Sequence, residues 1–300
     1  RAPPAGAREP GRRVRSAPMD ILLALAAAFC FALGTVLQQK AAVDSSEAEA
    51  LRAGFLLRLA RRPVWVAGLS VDALGFVFQA WALGVGRLVV VQPLLAATVV
   101  FALPLGARIT DQHVTRRDVI GAVAVTAGIA AFLAIGDPSG GRDDAPLRAW
   151  LVAGAVIAAI CSLLVLGAIR AARPRVKAAL FGTATGILFA LSAALTKATV
   201  DQLGDGIGHL VTDWHLYGLI AVGYVSMSLS QISLQTGALA PAIATQMALD
   251  PIAAVPLGIL VFHETLNATP LAVAGCTAAG ALIVAGLVAL ASSRPATDGV

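Results

Sequence analysis

Two carboxylates stand apart from the other charges of this chain. Of its 17 acidic residues, only Asp72 and Asp250 fall in the middle of long apolar runs; the rest lie in tails, loops or at the edges of such runs. An ionised side chain at such a position costs about 3 kcal/mol or more, so each needs protein, water or a cation beside it. Buried acids of this kind hold cations or protons, which makes Asp72 and Asp250 the candidate ion-binding groups and the candidate metal ligands.

Their neighbours extend the pattern. Gly68, Asp72, Gly75 and Gln79 recur at spacings of 4, 3 and 4, which places them on one helix face. Tyr224, Ser228, Gln231 and Gln235 repeat that spacing in the second half of the chain. Asp250 precedes Pro251, and because proline has no N–H, the carbonyl of Met247 loses its usual helical partner. Gln92-Pro93 is the neutral counterpart, freeing the carbonyl of Val89. The expected substrate- or ion-binding set is therefore Asp72, Gln79, Gln92, Gln231, Gln235 and Asp250, with Pro93 and Pro251 as hinges. The competing reading is structural: polar stripes that hydrogen-bond helices together at about 0.6 kcal/mol each, and a proline kink with a capped or protonated Asp250.

Other polar residues carry less. Lys197 and Asp201 are four apart near a helix end and read as a snorkelling ion pair. Lys40 reads as a surface anchor. Glu264 sits at a run edge, where capping and transport roles fit equally. The four His residues lie in loops or at run ends, with no HExxH pattern, and no P-loop is present. No enzyme activity, cofactor or nucleic-acid partner is expected. Cys30, Cys161 and Cys276 lie inside apolar runs and read as small buried hydrophobes.

The elements that must position these residues follow from composition. The 300 residues are 58% hydrophobic and 13% charged, with mean hydropathy +0.83; a soluble domain carries about 25% charged residues. This is the balance of an all-α integral membrane protein. About 20 apolar residues cross a bilayer, which predicts nine spans: 20–42, 63–85, 88–107, 118–136, 149–170, 177–200, 214–236, 241–262 and 270–291. Gly237 and Pro241 mark the break in the longest run. Residues 1–18 are Arg-, Pro- and Ala-rich and are expected to be disordered or foreign to the native chain, with Met19 as its start. Thirteen Lys and Arg residues, from Lys40 to Arg294, fall in one alternate set of loops, against Arg87, Arg142, Arg148 and Lys197 in the other. That bias puts the N-terminus outside and the C-terminus inside the cytoplasmic membrane.

The two halves echo each other. Phe31-Ala32-Leu33 recurs as Phe189-Ala190-Leu191, and Gln92-Pro93-Leu94-Leu95-Ala96 as Asp250-Pro251-Ile252-Ala253-Ala254. Spans one to four thus correspond to six to nine, and an odd displacement of five inverts the second copy. The expected organisation is a 4 + 1 + 4 inverted repeat: 19–136, a connector over 137–176, 177–291, and a cytoplasmic tail over 292–300. Inverted repeats characterise secondary transporters, whose sites lie near the midplane between the repeats.

At Pro251 and Val261-Phe262-His263-Glu264-Thr265-Leu266 the chain resembles the P…GE-x-L-T signature of the drug/metabolite transporter superfamily, EamA type. His263 stands where that pattern has Gly, and Gly106-Ala107-Arg108-Ile109-Thr110, the corresponding first-half segment, lacks the Glu. Arg62-Pro63-Val64-Trp65, Gly68, Gly75 and Val91-Gln92-Pro93-Leu94 are similar to the nine-helix magnesium-transporter-like (NIPA) branch, which lacks one helix of the ten, here over 45–60. The resemblance implies alternating-access transport of a small solute or a cation, Mg²⁺ included. A proton-coupled metabolite or drug exporter and a non-transporting scaffold are the alternatives. Partners expected are that substrate, the bilayer and, as protein partner, a second copy of the chain.

Overall fold

A computed structural model of the chain describes residues 17–43, 62–110, 114–203, 206–234, 236 and 239–291. The N-terminal segment before Ala17, the 45–60 stretch, Gln235 and the 292–300 tail lie outside them. The helices are α1 (Ala17–Val43), α2 (Pro63–Val85), α3 (Leu88–Leu95), α4 (Ala97–Ile109), α5 (Arg116–Gly136), α6 (Leu147–Arg170), α7 (Pro174–Leu203), α8 (Ile207–Thr212), α9 (Trp214–Leu234), α10 (Leu239–Leu260) and α11 (Pro270–Ala291). Among the described residues, nine spans are long and apolar enough to cross a membrane. The chain is an all-α, multi-pass membrane protein.

Local chemistry accounts for the boundaries. Helix α5 opens on a capping box: the Asp118 N–H donates to Thr115 Oγ1 at 3.3 Å and the Thr115 N–H to Asp118 Oδ2 at 2.7 Å. The third span, expected as one helix, is two: α3 ends at Leu95, two residues after Pro93, and α4 starts at Ala97. Pro251 behaves differently, because α10 runs through it without interruption. Helix α1 begins at Ala17, so the last two residues of the expected tail belong to the first helix.

Helix α7 is the centre of the bundle. Two-thirds of its membrane window (67%) is buried, against 17% for α6 and for α9. The expected connector, α6, instead turns Leu151, Val152, Leu163 and Ile169 outward, as a helix bordering lipid does. Small residues set the closest approaches. A Cβ placed on Gly186 would fall 2.5 Å from the Gln246 carbonyl oxygen, which locks α7 against α10. One on Gly68 would fall 2.9 Å from the Gly34 carbonyl oxygen, and one on Gly286 2.7 Å from that of Gly121. These contacts join α1 to α2 and α5 to α11.

A two-residue bridge ties the connections together. Ser139–Gly140 (β1) pairs antiparallel with Glu264–Thr265 (β2), Gly140 opposite Glu264. His263, just before, has φ 54°, a left-handed conformation that glycine adopts without cost.

Candidate functional site

A cavity of about 450 Å³ lies at the centre of the bundle, lined from α1, α2, α3, α4, α7, α9, α10 and α11. Its apolar wall includes Phe31, Phe76, Phe189, Met227 and Met247; its polar groups include Gln79, Gln92, Ser192, Thr196, Gln246 and Asp250. Both members of each sequence echo are present: Phe31 with Phe189, and Gln92 with Asp250.

The polar groups divide into satisfied and unsatisfied. Ser230 Oγ donates to Gln246 Oε1 at 3.0 Å. Gln92 is 1% exposed, yet neither its Nε2 nor its Oε1 has a hydrogen-bond partner, and Asp250 Oδ1 is shielded and equally unpartnered. A buried polar group left without a partner costs about 1–3 kcal/mol, more for a charged one. Both residues line one cavity with shielded polar atoms that find no partner in the protein, which sets them apart from the satisfied Gln246.

Gln79, Gln92 and Asp250 thus meet as expected, and Pro251 lines the same space. Asp72 does not join them. Its Oδ2 accepts a hydrogen bond from Gln38 Nε2 in the glycine-lined contact between α1 and α2. The expected pairing of Asp72 with Asp250 as metal ligands is not realised in the cavity, and no group of three or more His, Cys, Asp or Glu suited to a metal ion occurs among the described residues. Gln231 is exposed on the outer side of α9, and Tyr224 is 76% exposed. The face of α9 that turns inward carries Ser226, Ser230 and Ser233 instead. Periodicity singled out the Tyr224–Gln231 stripe, but the small serines, which allow close approach, form the buried face. Gln235 is outside the described residues.

A second polar centre adjoins the cavity, and spacing alone did not reveal it. Lys197, one residue after the cavity-lining Thr196, is 5% exposed, so the snorkelling geometry does not hold. Its Nζ lies 3.1 Å from Glu264 Oε1, donates to the Gly86 carbonyl at 2.6 Å, and sits 5.2 Å from the Phe262 ring centre. Glu264 also accepts the N–H groups of Leu88 and Val89, at 2.8 and 2.9 Å. It therefore caps the N-terminus of α3, where a negative charge is favoured by the helix dipole. Gly258 makes room for it, since a Cβ there would lie 2.5 Å from Glu264 Oε2. The capping role, one of two open for Glu264, is the one its contacts display. The partners are 67 residues apart in the chain; the signal available was a lysine within an apolar run.

Trp150 joins this centre to a third group. Its ring packs edge-on to Phe262 at 5.7 Å and to Trp214 at 5.7 Å. Next to it, His215 places Nδ1 2.5 Å from Asp213 Oδ1 and Nε2 3.2 Å from Asp144 Oδ1. Burial alone would push the Asp144 carboxyl up, but hydrogen bonds from His215, Trp150 and the Ala145 N–H hold it below the usual carboxylate range.

No protein-family model matches the chain, and no solved structure matches it. The chain is similar to the uncharacterized protein Cgl0250/cg0304 of Corynebacterium glutamicum, at 33% identity over 247 residues, which is 82% of this chain and 85% of the relative. The chain belongs to the same protein family as this corynebacterial protein.

Proposed function

We propose that the protein is a secondary transporter that moves a small solute or cation by alternating access around the central cavity. The observation that carries this reading is the unpartnered state of Gln92 and Asp250 in one cavity. Each stands immediately before a proline, one in each half of the chain. That arrangement supports a 4 + 1 + 4 inverted repeat of the drug/metabolite transporter type, with the site where the repeats meet. The close α5–α11 contact through Gly121 and Gly286 pairs the last span of each repeat and supports the same organisation. The left-handed backbone at His263, where the EamA-type pattern has Gly, supports the superfamily resemblance. Loop charge supports a cytoplasmic-membrane orientation with the N-terminus outside and the C-terminus inside.

A non-transporting scaffold is the second reading, and the helix contact made by Asp72 favours it. It gives no account of two residues with unpartnered polar atoms lining one cavity. Side-selective labelling separates the two. In a variant lacking Cys30, Cys161 and Cys276, a cysteine replacing the cavity-lining Ser192 is expected to react with a membrane-impermeant thiol reagent applied from either side. Reaction from neither side, or from one side only, contradicts alternating access.

A further inference from the structure

We propose that the ligand of the central cavity is a small monovalent organic cation with an apolar body, an inference that rests on the transport-site reading above. Among the described residues, Asp250 is the one acidic residue lining the cavity, and no Lys, Arg or His lines it. An anion would meet a carboxylate with no counter-charge, and a zwitterion would leave its own carboxylate without a cationic partner. A carboxylate left uncompensated in this apolar surround is costly, and a cation is the ligand that compensates its charge.

The walls select among cations. Phe31, Phe76 and Phe189 present aromatic rings, which attract an ammonium within about 6 Å of their faces. Met227 and Met247 add adaptable apolar surface. Mg²⁺ demands an octahedral oxygen shell and retains several waters, and one carboxylate among phenyl and thioether groups is a poor host for it. Gln92 adds a buried amide without a hydrogen-bond partner to the same lining, able to both donate and accept. A volume of about 450 Å³ lies in the usual range for small-molecule sites, about 300–1,000 Å³, and accommodates a ligand with one ring.

The test is equilibrium binding to the purified full-length protein in detergent, using benzyltrimethylammonium, benzoate and Mg²⁺ as probes. The wild type is expected to bind benzyltrimethylammonium saturably and more tightly than either other probe. Asp250→Asn should weaken that binding by more than about tenfold. Phe189→Leu, which keeps the volume apolar but removes a ring, should weaken it several-fold and serves if Asp250→Asn does not fold. Tighter binding of benzoate or Mg²⁺, or cation binding that both variants leave unchanged, overturns the inference. Uptake into proteoliposomes is read separately. Binding without uptake refutes the transporter reading and leaves the ligand class standing; uptake of another solute without cation binding refutes the ligand class alone.

Discussion

Gln92 and Asp250 face one cavity from two helices, each as the residue before a proline, and neither finds a hydrogen-bond partner in the protein. The pair is asymmetric in charge. Of two corresponding positions, one supplies a neutral amide and the other a carboxyl group, so the pair contains a single ionisable group. The protein around it is otherwise well satisfied: Glu264 has its two carboxylate oxygens occupied, and Lys197 donates to both a carbonyl and that carboxylate. The Lys197–Glu264 network is hydrogen-bonded throughout, whereas Gln92 and Asp250 Oδ1 find no partner.

The Lys197–Glu264 pair is structural. Glu264→Gln removes the charge opposing a buried ammonium and places an amide NH₂ against donors that need an acceptor. It is expected to destabilise the fold by about 3 kcal/mol or more. The double variant with Lys197→Met should lose less than the sum of the two single changes. Thermal unfolding in detergent measures both, and a Glu264→Gln change within about 0.5 kcal/mol of wild type contradicts the assignment.

Gly186→Val tests the α7–α10 contact. The added Cβ would lie 2.5 Å from the Gln246 carbonyl oxygen, so the helices must separate. The expected cost is about 1–3 kcal/mol, with ligand binding weakened as well because Gln246 and Asp250 sit on the displaced helix. Unchanged melting temperature and unchanged binding would show that α7 and α10 are not packed through this glycine.

His263→Gly should stabilise the protein. Position 263 is left-handed, a conformation that costs a residue with a Cβ about 1–2 kcal/mol, partly offset by the greater freedom of glycine when unfolded. A net gain of about 0.5 kcal/mol, seen as a rise of about 1–2 °C in Tm, is expected. A fall in Tm would show that the His263 side chain contributes more than its backbone costs.

Asp144 sets an acid-side dependence. Its carboxyl titrates below the ordinary value of 3.8 in the folded protein because the adjacent His215 and hydrogen bonds from Trp150 and the Ala145 N–H favour its charged form against the cost of burial. The stability this contributes is complete above the unfolded value and is lost as pH falls through the lower folded one. Wild-type Tm should therefore drop more steeply than that of Asp144→Asn below pH about 4. Parallel curves for the two proteins would contradict the hydrogen-bonded role.

Much of this was legible in the chain, for identifiable reasons. Span lengths are fixed by bilayer thickness, so nine apolar runs gave nine helical spans with boundaries shifted by a few residues. Gln92 and Asp250 were marked by their prolines, a local signal. The face Gly68-Asp72-Gly75-Gln79 was read correctly as one face; but its glycines draw α1 so close that Gln38 reaches Asp72, and only the far end, at Gln79, opens to the cavity. On α9 the one stripe the pattern marked is not the one that meets protein. In a membrane, a Gln near a helix end can reach the interface, so Gln231 tolerates the outer face while serines pack inside. The Lys197–Glu264 contact is tertiary, and no periodicity encodes it.

The most direct measurement is tracer uptake into proteoliposomes containing the wild type, Asp250→Asn or Gln231→Leu. The solutes are benzyltrimethylammonium, an uncharged analogue of similar size and Mg²⁺. At least one solute should enter faster than into empty liposomes; Asp250→Asn should cut that rate by about tenfold or more, and Gln231→Leu should leave it unchanged. Uptake of none of them by the wild type, or equal uptake by the wild type and Asp250→Asn, would contradict a transport site at Asp250.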